Sequence, residues 1–132
     1  MMSYLLIKTA DMNACIEVVD SSGKLLARDE WDAGRQLAKD ILAHIDALLG
    51  AADCEWGDIE GIGVFKGPGS FTSLRIGLTV ANTISYARQI PIVGVDGDGW
   101  REEGQSRLVA GDDDKQVMPH YGADPHITAP RK

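Results

Sequence analysis

Cysteine is scarce in this chain. Cys15 and Cys54 stand far apart, with no C-x-x-C spacing and no secretory leader ahead of them, so reduced thiols in the cytoplasm are the expectation and a disulfide framework is not. Histidine is too thin for a zinc site: His44, His120 and His126 are widely separated, and no H-E-x-x-H pattern occurs. Ser70 lacks the G-x-S-x-G spacing of a nucleophile elbow, and no histidine is placed by sequence to serve it, which excludes a serine-hydrolase reading. The longest apolar runs are too short to cross a bilayer. Positive charge is also in short supply. With 13 Lys and Arg against 20 Asp and Glu, the net charge of −7 argues against gripping a phosphate backbone alone, so any nucleic acid is expected to sit on a partner. What is present is 132 residues, 44% of them hydrophobic, enough for one core and too few for a second full domain.

Residues 4–9, 14–20 and 24–29 read as three strands of an antiparallel meander, with Ser21-Ser22-Gly23 turning the second into the third. Leu37, Ile41, Ile45 and Leu48 then repeat at helical spacing, and Gly50 supplies a stop. In residues 60–66, Gly61, Gly63 and Phe65 alternate with Ile62 and Val64. The glycine side predicts an unusually close neighbour, for which the next helix is the natural candidate. That second helix, about 71–88, is apolar around most of its circumference. Leu74, Leu78 and Ala81 form one stripe, Ile76, Val80 and Ala87 another, and Ser73, Gly77, Ala81 and Ser85 a row of small residues. Cover is therefore expected twice, from the neighbouring helix or from another subunit. Residues 91–96 close the core as a fifth strand, after a link suited to a parallel crossover.

The most informative segment is Lys66-Gly67-Pro68-Gly69-Ser70-Phe71-Thr72, a glycine-rich turn between a strand and a helix. Glycine accepts positive φ, proline pre-sets its own, and Ser70 and Thr72 are placed to cap the helix. The uncovered first amides of such a helix favour an anion. The order of three antiparallel strands, helix, strand, helix, strand is the ribonuclease H-like order. It is the half-domain of actin-like ATPases and sugar kinases, an α/β fold with a five-stranded mixed sheet in the order 3-2-1-4-5. Such folds place a metal-binding carboxylate at the end of the first strand; here the residue is Lys8, and the fourth strand ends at Lys66. Two ammonium groups would repel a metal ion, so no metal-dependent catalytic site is expected. A possible anion or nucleotide border comprises Lys8, Lys66, Gly67, Gly69, Ser70, Thr72 and Arg75. The alternative is that Lys8 and Lys66 pair with Asp11 or Asp96 on the surface.

The G-P-G-S-F-T turn running into Leu74-Arg75-Ile76-Gly77, with Ile92-Val93-Gly94-Val95 beyond it, resembles the TsaB (YeaZ) family. This is the dimerisation subunit of the bacterial tRNA threonylcarbamoyladenosine machinery, and the match covers roughly residues 3–96. The resemblance implies a non-catalytic scaffold that pairs through its amino-terminal helices with a TsaD-type subunit, which transfers threonylcarbamoyl to adenosine 37 of tRNAs. A small ATPase, TsaE, joins the assembly. ATP or ADP would border this chain only at the junction with its partner. The expected interface on the second helix is Leu74, Gly77, Leu78, Ala81 and Ser85. The other readings are an actin-like phosphotransferase, which needs a second half and acidic ligands, and a homodimer using the same helical face on itself.

Departures from the family are plain. Lys8-Thr9-Ala10 stands where Asp-Thr-Ser is usual, and Ser73 replaces a glycine. Members continue into a second half of similar fold, whereas residues 97–132 read as a polar tail. Within it, Gly97-Asp98-Gly99 marks a break, and Arg107–Ala110 with Gln116–Met118 are expected to form a small hairpin around Gly111-Asp112-Asp113-Asp114, an acidic triplet read as a solvated turn. Trp100, Tyr121 and Ile127 are the expected anchors, and Met118-Pro119-His120-Tyr121 resembles the family's terminal Pro-x-Tyr segment.

Overall fold

The computed structural model describes residues 2–119. Its strands are β1 (Ser3–Lys8), β2 (Asn13–Asp20), β3 (Leu25–Asp32), β4 (Ile59–Gly67) and β5 (Ile92–Asp96). The helices are α1 (Leu37–Ala51), α2 (Phe71–Arg88) and α3 (Trp100–Val109), with single 3₁₀ turns at Gly34–Gln36 and Trp56–Asp58. The five strands form one sheet in the order β3-β2-β1-β4-β5, the ribonuclease H-like arrangement expected. β1, β2 and β3 pair antiparallel, with Lys8 opposite Cys15, and β4 runs parallel to both β1 and β5, with Ile7 beside Val64.

Alternation along the strands sorts the core into two layers. Leu5, Ile7, Ile16, Ile62 and Val64 are fully buried. They lie on the side of α1 and α2, whose stripes Leu37, Ile41 and Ile45, and Leu74, Leu78 and Ala81, are buried with them. The opposite layer corrects two expectations. Arg107–Ala110, expected as one arm of a hairpin, are instead the end of helix α3 and its C-cap, and it is α3, not α2, that takes up the glycine side of β4. A Cβ on Gly61 would lie 2.7 Å from Leu108 Cδ2, and one on Gly63 2.8 Å from Leu6 Cδ2 and 3.7 Å from the Gly104 Cα. Glycines on both surfaces let helix and sheet meet at backbone distance.

Three contacts fix α3 in place. Trp100, 2% exposed, stands edge-on to Phe65 with ring centroids 6.0 Å apart. Arg101 Nε donates to Glu17 Oε2 at 2.5 Å, and Gln105 Nε2 donates to the Ser21 carbonyl at 3.0 Å. Glu17 is a buried carboxylate that also accepts from Arg28 Nε at 3.0 Å, so one oxygen ties β3 and α3 to β2. Burying that charge is tolerable because two guanidiniums neutralise it. On the other layer, the His44 imidazole of α1 lies flat on the Trp31 indole of β3, centroids 3.7 Å apart, with Nδ1 2.6 Å from Asp29 Oδ2. The expected anchors Tyr121 and Ile127, and the Pro-x-Tyr resemblance beyond Pro119, lie outside the described residues.

Candidate functional site: the turn before α2 and the outer face of the helix pair

The turn between β4 and α2 is shaped by what lies under it. Gly67 takes φ +128°, a conformation side chains disfavour, and the chain then folds back onto the residues that follow β1. The Ser70 amide donates to the Ala10 carbonyl at 2.6 Å, and a Cβ on Gly69 would sit 2.6 Å from that same oxygen. One turn further, Thr9 Oγ1 donates to the Ser73 carbonyl at 2.8 Å, and any Cβ on Gly77 would overlap that hydroxyl. Gly69 and Gly77 are thus the two points at which α2 rests on the end of β1. Ser70 occupies the N-cap position and its carbonyl accepts from the Leu74 amide at 2.9 Å, yet its side chain makes no capping bond, contrary to expectation. Thr72 is already inside the helix and exposed.

The two lysines do not converge. Lys8 lies on the α3 side, its Nζ 4.6 Å from the Phe65 ring centroid and 6.0 Å from that of Trp100. Lys66, the next residue along β4 from Phe65, turns the other way: its Cδ is 3.2 Å from where a Gly94 Cβ would stand, and its charge acts on Asp114. Arg75 projects outward over the Phe71 ring at 5.2 Å. The sheet therefore sends Lys8 and Lys66 to opposite faces, while Gly69 and Ser70 rest on Ala10 just beyond the end of β1. Among the described residues, no three His, Cys, Asp or Glu side chains are grouped so that they could hold a metal ion. None of the described helices is long and apolar enough to cross a membrane.

The five residues expected at a partner interface take a different place. Leu74, Gly77, Leu78, Ala81 and Ser85 are all buried inside the domain, because their stripe at i, i+3, i+4, i+7 and i+11 faces β1 and β4. Ser85 Oγ donates to the Ile90 carbonyl at 2.6 Å, closing the turn after α2. The surface left open is the opposite one. It presents Phe71 (56% exposed), Arg75, Thr79 and Tyr86 from α2, and Ala38 and Leu42 (52% exposed) from α1. A cavity of about 350 Å³ runs between them, lined by Ala38, Phe71, Arg75, Ile76 and Val80. A second, of about 550 Å³, lies between Met12, Arg35 and the first turn of α2. Phe71 and Leu42 sit off the buried stripes of their helices, and that offset is the signal by which sequence periodicity could have marked them.

Residues 31–97 match the family described as "TsaD: tRNA N6-adenosine threonylcarbamoyltransferase". The chain is 30% identical over 115 residues to the tRNA threonylcarbamoyladenosine biosynthesis protein TsaB of Escherichia coli, covering 83% of this chain and 49% of that protein. It is 41% identical over 64 residues to the tRNA N6-adenosine threonylcarbamoyltransferase of Geobacter sulfurreducens, 48% of this chain and 19% of that enzyme. Among solved structures, YeaZ from Pseudomonas aeruginosa shares the fold with a TM-score of 0.67 at 24% identity, over 79% of this chain and 51% of that one. The chain spans about half or less of the length of the curated relatives it matches. Joined to the G-P-G-S-F-T turn and the sheet order, these matches show that the chain belongs to the TsaB (YeaZ) family, within the wider group that the threonylcarbamoyltransferase family defines.

Proposed function

We propose that this chain is an accessory subunit in the formation of threonylcarbamoyladenosine in tRNA, docking the outer face of α1 and α2 onto a TsaD-type transferase and running no reaction of its own. The observation that carries the reading is the apolar surface around Phe71 and Leu42, exposed on the outer side of α1 and α2 among the described residues. Lys8 supports it from the chemical side, since an ammonium stands where enzymes of this fold use a carboxylate. In this reading tRNA is met only through the partner, and any ATP or ADP borders the chain at that junction. By seating the helix pair, the chain would favour the competent state of the transferase.

Calorimetric titration against a TsaD-type subunit tests the reading. Phe71→Asp is expected to weaken binding about ten- to a hundredfold, the worth of one buried aromatic side chain at ~1.5–3 kcal/mol. Val109→Asp, at a residue 49% exposed at the end of α3, should leave affinity within about twofold. Equal effects of the two changes, or none from Phe71→Asp, would reject the α1–α2 face as the docking surface.

A further inference from the structure

β5 is an edge strand, and edges offer unpaired backbone groups to any passing strand. The outward-facing amides and carbonyls of Ile92 and Gly94 are nevertheless engaged, by residues 107–114 instead of by another strand. The Ile92 amide donates to Asp113 Oδ1 at 3.2 Å and the Gly94 amide to Asp114 Oδ2 at 2.8 Å. The Ile92 carbonyl accepts from the Asp114 amide at 2.7 Å, and the Gly94 carbonyl from Arg107 Nη1 at 3.0 Å. Arg107 in turn holds Asp112 Oδ2 at 2.6 Å and Asp114 Oδ1 at 2.5 Å. The acidic triplet is therefore bound to the sheet, which corrects its reading as a solvated turn.

The segment is anchored at both ends. It leaves α3 through Gly111 at φ +85° and finishes at Val117, which fills the space beside Gly94. A Cβ on Gly94 would lie 2.5 Å from Val117 Cγ1. Asn82 of α2 then clamps the Val117 backbone twice, Oδ1 accepting from its amide at 2.9 Å and Nδ2 donating to its carbonyl at 3.0 Å. One stretch of chain thus passes from the α3 layer, across the sheet edge, to the α2 layer.

We infer that residues 111–117 form a strap that occupies the hydrogen-bonding edge of β5 and stops the sheet from extending into a second copy of the chain. The competitor is a second copy, because the freed amides and carbonyls of Ile92 and Gly94 would match those of an identical edge, and β5 carries a single charged residue, Asp96, at its end. This inference stands apart from the docking role of α1 and α2, which lie on other backbone.

Amide exchange on the intact chain tests it first. Ile92 and Gly94 point away from β4, yet they should exchange within about tenfold of Val93 and Val95, which point toward it. Asp114→Ala should speed exchange at Ile92 and Gly94 by at least about tenfold, leave Leu6 and Val64 unchanged, and produce concentration-dependent dimers by light scattering. Rapid exchange of Ile92 and Gly94 in the unaltered chain overturns the strap. A folded Asp114→Ala variant with freed amides that associates no further than the unaltered chain overturns its guarding role. If that variant does not fold, the exchange pattern of the unaltered chain decides.

Discussion

Replacing Gly77 with alanine is the sharpest probe of how α2 sits on the sheet. Alanine is the better helix former by about 1 kcal/mol, so on propensity alone the change would stabilise the protein. The geometry opposes this, because the new Cβ would coincide with the Thr9 hydroxyl and crowd the Thr9 Cβ and Cγ2, each 3.1 Å away. Overpacking at such a contact costs about 1–3 kcal/mol, and loss of the Thr9–Ser73 bond adds roughly 0.5–1.5 kcal/mol. The balance is a net loss of about 0.5–3.5 kcal/mol, measurable as a lower urea midpoint at unchanged slope. The companion change Thr9→Ala removes the hydroxyl and one methyl from the contact. The double variant should therefore recover part of the loss, a favourable coupling in a double-mutant cycle. Gly77→Ala matching or exceeding the parent in stability would refute this account of the position, as would strict additivity with Thr9→Ala.

Other perturbations follow from the same structure. Glu17→Ala should lower stability by ~1–2 kcal/mol in thermal unfolding, less than for a fully buried pair because Arg28 and Arg101 remain about two-fifths exposed; no change would mean that the shared carboxylate does not anchor α3. Acid should also weaken the fold. Burial pulls the Asp114 carboxyl upward, but Arg107, the Gly94 amide and Lys66 outweigh it, and its pKa lies below the ordinary value. Asp113 is likewise lowered: burial acts against the Ile92 and Lys115 amides and the Lys115 charge, and the latter prevail. Their folded pKa values are depressed, so the stability they contribute is complete above the ordinary carboxylate value of about 4 and is lost as pH falls through the lower folded values. Urea midpoints from pH 7 to 3 should show this decline, and Asp113→Asn with Asp114→Asn should flatten it; a parallel decline in the double variant would count against the assignment.

Much of this was legible in the sequence wherever the pattern and its partner lie close along the chain. The α2 span, the three-strand meander and the turn at Gly67–Ser70 all carry local signals, in periodicity or in turn residues, that survive folding unchanged. α3 did not show itself because its buried set is only Trp100, Gly104 and Leu108, a stripe one residue wide that includes a glycine. It is stable as a helix because Gly61 and Gly63 make room for it, and those residues lie some forty positions earlier. The small row of α2 was ambiguous for a related reason. Gly77 and Ala81 mark close approach, and spacing alone does not say whether the approaching surface is a helix, a sheet or another molecule. Lys8 and Lys66 read as a pair because both close neighbouring strands, whereas side-chain alternation sends them to opposite faces.

The three tryptophans of this domain have a practical consequence. Trp31 lies flat on His44, Trp56 donates to Asp46 with Arg88 over its ring, and Trp100 is enclosed beside Phe65. Each indole consequently watches a different helical junction: α1 on the sheet margin, the meeting of the α1 and α2 ends, and α3 on its glycine bed. Variants retaining one indole apiece would give three separate fluorescence signals, so the order in which the layers detach during unfolding could be followed without adding any label.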